Sequence, residues 1–166
     1  MPYTYTQLYV HVIFAVKGRA NLMAKSWKEN LYQYITGIIT NKNQKLMIIN
    51  GMPDHIHILI GLKPECNLSG LIRDVKANSS KWINENKLVT GKFEWQAGFG
   101  AFSVAQSQIQ TEVKYILNQE DHHQKKTFRQ EYIEFLEAYQ IEFRPEYIFE
   151  DFGAAPSELN NHDAKS

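Results

Sequence analysis

The sequence predicts an α+β fold in which helices flank a β-sheet. Stretches rich in β-branched and aromatic residues alternate along the chain with segments whose apolar residues recur at helical spacing. The 166 residues and their 43% hydrophobic content suffice for one buried domain and hardly for two. We therefore expect a single domain over residues 1–150. The polar, aperiodic residues 151–166 are predicted to form a disordered tail.

The first half of the chain predicts a strand, a helix and a hairpin, in that order. Residues 5–16 (YTQLYVHVIFAV) form the first predicted strand, and residues 26–40 form the first amphipathic helix. Two short apolar runs, 45–50 and 54–62, surround the turn sequence Gly51-Met52-Pro53. This pattern is typical of two antiparallel strands joined by a tight turn.

The second half adds a helix, a strand and two further helices. Apolar residues at helical spacing predict a helix over 68–83. The glycine-punctuated residues 93–104 predict either a strand or a strand plus a loop, with a bulge. Capping-box patterns open one helix at 107–110, which runs to residue 119, and another at 127–130. The order of the first six elements, β-α-β-β-α-β, predicts a ferredoxin-like sheet with added C-terminal helices.

Charge and cysteine usage restrict the class of protein. Net charge is zero, but residues 1–100 carry 12 Lys+Arg against 6 Asp+Glu, and residues 101–166 carry the reverse. A basic first part is compatible with a polyanion-binding face. The lone Cys66 excludes an internal disulfide and suits a cytoplasmic location. We expect neither a signal peptide nor a membrane span, since no apolar run approaches about 20 residues.

Two histidines interrupt the predicted strand PDHIHILI, residues 53–60. Side chains two apart in a strand share a face, so His55 and His57 lie about 6.6 Å apart along it. Imidazoles at this spacing can bind one divalent metal ion. Alternatively, the pair lines a polar sheet face while Ile56 and Ile58 form the buried one. Two ligands do not complete a metal site, so the first interpretation requires a third.

A candidate third ligand lies on the helix that begins near residue 107. Its apolar stripe is Ile109, Val113 and Ile116, and Tyr115 lies about 200° round from Val113, on the opposite face. Gln119 follows Tyr115 by one turn. The pair is either a surface tyrosine with its neighbouring amide or a nucleophile beside a neutral oxygen ligand. A phenol can attack phosphorus to give a covalent intermediate, and a metal ion promotes that attack.

These motifs together resemble a known family. PDHIHILI, with its His-hydrophobic-His (HUH) pair, and YILNQ at 115–119 are similar to the single-tyrosine transposases of the insertion-sequence-200/605 class, the IS200-like transposases. The similarity runs over about residues 8–143. It includes four longer segments: VIFAVKGR, LSGLIRDVKANSSKWI, WQAGFGAFSV and YILNQEDHHQKKTFRQEYIEFL.

The resemblance implies a specific activity. Members of the family have a ferredoxin-like core and act as homodimers on single-stranded DNA at mobile-element ends. By position, His55, His57 and Gln119 are implied to hold Mg²⁺ or Mn²⁺, and Tyr115 is implied to attack the scissile phosphate. The products are a 5′-phosphotyrosine and a 3′-hydroxyl, which resolves a second phosphotyrosine link by transesterification. The tyrosine helix of one subunit can complete the active site of the other.

Residues that contact DNA are harder to assign from the sequence. Arg73, Lys76 and Ser80 follow one another at i, i+3 and i+7 on the second helix. That stripe either follows a phosphate backbone or is an ordinary solvated face. Lys17 and Arg19, just after the first strand, match the basic loop of the family and form a second candidate.

The remaining histidines and the aspartate beside His55 have no fixed role in the sequence. Asp54 either orients a neighbouring histidine or is a turn residue. His11 is predicted to lie on the sheet face, and the adjacent His122 and His123 are predicted to be loop residues. Two rival functions also stay open: a domesticated relative that processes repeated palindromic DNA, and a ferredoxin-like module that binds nucleic acid without catalysis.

Overall fold

A computed structural model describes residues 3–19 and 22–148 of the chain. The strands are β1 (Leu8–Ala15), β2 (Lys45–Met52), β3 (His55–Leu62) and β4 (Gly100–Val104). The helices are α1 (Lys25–Asn41), α2 (Leu68–Glu85), α3 (Ile109–Leu117), α4 (Gln119–His123) and α5 (Phe128–Ala138). Short 3₁₀ turns cover Lys17–Arg19, Gln106–Gln108 and Pro145–Tyr147. The disordered tail predicted for 151–166 lies outside the described residues.

The four strands form one antiparallel sheet in the order β2-β3-β1-β4. In its centre, Ile13 of β1 pairs with His57 of β3, and Val12 pairs with Ala101 of β4. This strand order with helices α1 and α2 as the two crossovers confirms the predicted ferredoxin-like α+β fold. Residues 93–104 form a loop followed by a strand, which is one of the two predicted alternatives. Only the last five residues join the sheet, and the earlier part makes a single bridge between Trp95 and Val16.

The two faces of the sheet bury different sets of side chains. Helices α1 and α2 cover one face, where the core is aliphatic and aromatic throughout. Helices α3 and α5 cover the other face, over two smaller apolar clusters. Strand β3 contributes to both, since Ile56, Ile58 and Ile60 point one way and His55, His57 and Leu59 point the other.

The helix that carries Tyr115 is shorter than predicted. It ends at Leu117 because Asn118, with φ −94° and ψ 28°, turns the chain before α4 begins. The Asn50 side chain stabilises this end by donating to the carbonyl oxygens of Ile116 (2.9 Å) and Leu117 (3.2 Å). The capping box predicted at 107–110 is wrong, since that segment enters α3 through a 3₁₀ turn without a side-chain cap.

The capping box predicted at 127–130 is confirmed. The Thr127 side chain accepts from the Gln130 backbone, and the Gln130 side chain accepts from the Thr127 backbone N–H. The predicted apolar face of α5 is largely buried, with Phe128, Tyr132 and Leu136 all below 9% exposure.

Two glycines allow backbone segments to approach closely near the site. A Cβ at Gly51 would overlap the His55 carbonyl oxygen, so only glycine fits the β2–β3 hairpin there. A Cβ at Gly100 would lie 2.7 Å from the Tyr132 hydroxyl oxygen, where α5 packs on β4. None of the helices in the described ranges is both long and apolar enough to cross a membrane.

Candidate active site

Strand β3 places both histidines of PDHIHILI on the face covered by α3, α4 and α5. His55 and His57 are completely buried. The interpretation in which they line a polar, solvated sheet face is therefore wrong. A buried imidazole requires partners for both ring nitrogens, and each of these two has them.

The inward nitrogens of the two histidines face side chains from the C-terminal helices. His55 Nε2 lies 3.1 Å from Gln119 Oε1, and His57 Nε2 lies 3.1 Å from Glu131 Oε1. His123 Nε2 lies 3.2 Å from both of these oxygens. Gln119 is fully buried, and Glu131 is 1% exposed. The structure thus brings the three sequence-predicted ligands together and adds His123 and Glu131.

The outward nitrogens of the same histidines are held by a second layer of partners. His55 Nδ1 lies 2.7 Å from Asp54 Oδ1, so the interpretation of Asp54 as an orienting residue fits the structure. His57 Nδ1 lies 2.8 Å from His11 Nε2, and His11 Nδ1 lies 2.9 Å from Glu112 Oε2. His11 is on the sheet face, as predicted, but it is fully buried and links His57 to α3.

Tyr115 joins the cluster through its hydroxyl, which donates to Glu131 Oε2. Gln119 Nε2 donates to the same oxygen at 3.3 Å. The His122 ring packs against the Tyr115 ring, with the two centroids 4.3 Å apart. Although α3 ends at Leu117, Tyr115 and Gln119 still converge, because both reach one carboxylate on α5.

Burial sets the protonation states of the cluster. Desolvation lowers the pKa of His57 to about 3, despite the opposing effect of Glu131, so the imidazole is neutral at pH 7. Desolvation, reinforced by Glu131, raises the pKa of Tyr115 well above its usual value. Burial alone would raise the pKa of Glu131, but the proton shared with the surrounding imidazoles, His57 first, outweighs it and holds that pKa far below its usual range.

The donor set fits a divalent metal ion. Nδ1 of His55 and Nδ1 of His57 each contact an outer partner. In the neutral tautomers that satisfy these contacts, each Nδ1 carries the proton and each Nε2 therefore has a lone pair. These lone pairs face Gln119 Oε1 and Glu131 Oε1, both of which are also acceptors. Two acceptors in contact repel one another unless a proton or a metal cation lies between them. Neutral imidazole and side-chain oxygen are ordinary ligands for such a cation.

Four of the predicted DNA-contacting residues lie outside this cluster: Lys17, Arg73, Lys76 and Ser80. Lys17 pairs with Glu94 at 3.0 Å and remains largely exposed, as does Arg73. Lys76 Nζ donates to the carbonyl oxygens of residues 96 and 98, and burial lowers its pKa. The Ser80 hydroxyl donates to a carbonyl of its own helix. Arg19 ends the 3₁₀ turn Lys17–Arg19.

Sequence reasoning missed His123 and Glu131, although one signal was present. Glu131 falls three residues after Phe128 and four before Phe135, which places a carboxylate inside the apolar stripe of α5. A charged residue within such a stripe is a candidate for a buried, partnered group. His123 gave no such signal, because α4 was not predicted and the segment was assigned to a loop.

Comparison with known proteins identifies the class as a transposase. The family described as "Transposase IS200 like" matches residues 4–119. The chain belongs to this family.

Individual relatives agree with this assignment. The ISDra2 transposase TnpA of Deinococcus radiodurans is 24% identical over 121 residues, which cover 69% of this chain and 86% of the relative. A crystal structure assigned to a transposase of Deinococcus radiodurans R1 has a TM-score of 0.58 at 22% identity, covering 70% of this chain and 94% of the other. A REP-associated tyrosine transposase bound to a REP hairpin has a TM-score of 0.55 at 14% identity, covering 69% and 68%. Both structures share the fold described above.

Proposed function

We propose that this protein is a metal-dependent transposase that cleaves and rejoins single-stranded DNA at mobile-element ends through a 5′-phosphotyrosine intermediate. The observation that carries the proposal is the meeting of the Tyr115 hydroxyl with the buried His55–His57 pair and Gln119 in one cluster. A phenol beside a metal site is suited to attack phosphorus. Because one phosphodiester is exchanged for a phosphotyrosine, rejoining needs no nucleotide cofactor.

In the proposed site, His55, His57 and Gln119 hold Mg²⁺ or Mn²⁺. The ion, when bound, makes the scissile phosphate more electrophilic. Tyr115 supplies the oxygen that bonds to phosphorus, while the bond from phosphorus to the 3′ oxygen breaks and leaves a free 3′-hydroxyl. Glu131 orients the Tyr115 hydroxyl by accepting its hydrogen bond. The raised pKa of Tyr115 keeps the phenol protonated, and therefore a weak nucleophile, in the free protein.

The proposed DNA partner approaches beside His123. A cavity of about 260 Å³ lies there, and Lys25 and Lys28 contribute to its lining. Their ammonium groups attract phosphates, although Lys25 also pairs with Glu120 at 3.3 Å. The exposed Lys17 and Arg73 are further candidate contacts. The fold neighbour bound to a REP hairpin supports a hairpin-containing strand as substrate. A binding competition between element-end hairpins and repeated palindromic DNA distinguishes the two roles. Preference for the element ends indicates a mobile-element role, and preference for the palindromes indicates a domesticated one.

The test of the proposed function is covalent capture of DNA. Incubation with a single-stranded element end and Mg²⁺ or Mn²⁺ is expected to give a protein–DNA adduct on a denaturing gel. Tyr115→Phe is expected to abolish that adduct. Tyr34→Phe is the matched control, since Tyr34 is an exposed tyrosine that stacks on Trp82, away from the site. An adduct formed by the Tyr115→Phe protein would rule out this nucleophile.

We further propose that each homodimer subunit assembles its site from its own chain. The described contacts join Tyr115 of α3 to the histidines of the same chain through Glu131. A mixture of Tyr115→Phe and His57→Ala subunits is then expected to stay inactive. Recovery of adduct formation in the mixture would instead show that the tyrosine of one subunit serves the histidines of the other.

A further inference from the structure

Four potential ligand atoms meet at the centre of the cluster. Two of them, on His123 and Glu131, are not metal ligands in the proposed function. One atom from each of His55, His57, His123 and Glu131 lies within 4.8 Å of all the others. The last two follow residue 119, where the match to the transposase family ends. They come from α4 and α5, which fold back over the histidine pair.

We propose that His123 and Glu131 are direct metal ligands beside His55, His57 and Gln119, so that the site holds three imidazoles and one carboxylate and selects first-row transition ions over Mg²⁺. This rests on the proposed function for the presence of a metal at the histidine pair. It adds two ligands and a metal preference that the His55, His57 and Gln119 set does not supply.

The distances suit a common ion. Glu131 Oε1 lies 3.1 Å from His57 Nε2, 3.2 Å from His123 Nε2 and 3.6 Å from His55 Nε2. Bonds of about 2.0–2.2 Å place two ligands of one ion about 3–4 Å apart. The three imidazole nitrogens therefore surround the carboxylate oxygen at ligand-to-ligand spacing.

Burial and charge also favour a cation at this position. The side chains of Glu131 and His123 are 1% and 8% exposed. An ionised carboxylate in such surroundings is costly unless a positive charge lies beside it. The nearest basic groups are the imidazoles of His55, His57 and His123, 3.1 to 3.6 Å from the carboxylate. A divalent ion at the centre neutralises the carboxylate and uses the imidazole lone pairs together.

The donor types determine which ion is preferred. Mg²⁺ favours oxygen ligands and keeps much of its water, whereas imidazole nitrogen favours transition metals. For a fixed nitrogen-rich site, affinity rises from Mn²⁺ to Co²⁺ along the first row. A site with three imidazoles is thus expected to bind Co²⁺ more tightly than Mn²⁺, and Mn²⁺ more tightly than Mg²⁺.

The experiment is a metal titration of the full-length, metal-free protein without DNA. Calorimetry with Mg²⁺, Mn²⁺ and Co²⁺ gives the affinity order, and pulsed electron paramagnetic resonance of bound Mn²⁺ counts the coordinated imidazoles. Three imidazoles are expected in the parent protein and two in His123→Ala. His123→Ala and Glu131→Gln are each expected to weaken Mn²⁺ binding by about 10- to 100-fold or more, since loss of even an outer partner costs that much.

Two neighbouring residues provide matched controls. His122→Ala removes an adjacent imidazole that packs on Tyr115, and Glu134→Gln removes a carboxylate paired with Lys126 on the surface. Both are expected to keep the parent affinity for Mn²⁺. Circular dichroism verifies folding. If Glu131→Gln does not fold, His123→Ala and the imidazole count in the parent protein still decide the question.

The outcomes separate this inference from the proposed function. The enlarged ligand set is overturned if the parent protein shows only two imidazoles, or if a folded His123→Ala protein keeps its Mn²⁺ affinity. Neither result affects the test by covalent capture of DNA. Three imidazoles with no DNA adduct supports the metal centre and rejects the transposase chemistry. A preference for Mg²⁺ over Mn²⁺ also overturns the inference.

Discussion

The two faces of the sheet are equally buried but chemically opposite. On β3, Ile56 and Ile58 point into an apolar core beneath α1 and α2, while His55 and His57 point into a polar cluster beneath α3–α5; all four are fully buried. Burial of apolar surface stabilises the fold. Burial of imidazoles and a carboxylate costs free energy unless every group is partnered. Alternate side chains of one strand thus serve different purposes: the isoleucines stabilise the fold, and the histidines form the candidate site. Substitutions of adjacent residues on β3 can test this difference.

The largest expected effect is on the polar face. His57→Ala removes a proposed metal ligand and the contact with His11, and adduct formation with single-stranded DNA is expected to fall by about 1,000-fold or more. The measurement is the initial rate of adduct formation with saturating metal, on protein shown to be folded by circular dichroism. A rate within tenfold of the parent would contradict a catalytic role for this face.

The neighbouring residue is expected to behave in the opposite way. Ile58→Ala opens a cavity under α1 and α2 and should lower the free energy of unfolding by about 2–5 kcal/mol, without changing adduct formation per folded molecule. Denaturant unfolding measures the change. Leu117→Ala is the control, because this exposed leucine should alter stability by no more than about 0.5 kcal/mol. A loss of activity per folded molecule in Ile58→Ala would contradict the claim that the apolar face affects only stability.

Acid should weaken the folded state through the polar face. An unfolded imidazole titrates near 6.5, whereas buried His57 has a pKa of about 3, so between these values the unfolded chain binds a proton that the folded chain does not. Stability should therefore fall as pH decreases from 6.5, by up to about 1.4 kcal/mol per pH unit from this group. The lowered pKa of Glu131 also makes stability fall with decreasing pH, once the pH drops below the ordinary pKa of a glutamate.

This pH dependence is measurable by denaturant unfolding of metal-free protein between pH 7 and pH 4 (about one measurement per half unit would suffice). His57→Ala should show a shallower decline than the parent. Parallel curves for the two proteins would mean that His57 is not the group responsible.

The smallest expected effect concerns the cap of the helix that carries Glu131. Thr127→Ala removes the capping bond at the start of α5 and should lower the free energy of unfolding by about 1 kcal/mol. Ser107→Ala is the matched comparison, because Ser107 lies inside a 3₁₀ turn and does not cap α3. Equal decreases in the free energy of unfolding of the two variants would show that the capping box does not stabilise α5.

Much of the fold followed from sequence because local pattern and tertiary contacts agree. Alternation in residues 54–62 and helical spacing in 68–83 predicted elements whose bounds differ from the structure by about two residues. The sequence left a strand and a strand plus loop open over 93–104, because aromatic content does not distinguish strand pairing from the packing of Phe93 and Trp95 in the apolar core.

The site was only partly predictable because its ligand geometry depends on a helix break. Spacing placed Tyr115 and Gln119 one turn apart on a continuous helix, but the chain turns at Asn118 and starts α4. That turn depends on Asn50, a residue 66 positions away from Ile116, whose carbonyl it binds. Single-sequence periodicity does not contain such a contact. His123 was consequently assigned to a loop.

The close approach at Gly100 has a consequence for how this chain tolerates change. A methyl group there would meet the Tyr132 hydroxyl oxygen at 2.7 Å, and Tyr132 follows Glu131 directly on α5. Any side chain at Gly100 thus pushes on the helix that aims the carboxylate at Tyr115, although residue 100 touches none of the reacting groups. A Gly100→Ala substitution is therefore expected to disturb the Glu131 carboxylate from β4, a strand that carries none of the proposed reacting groups.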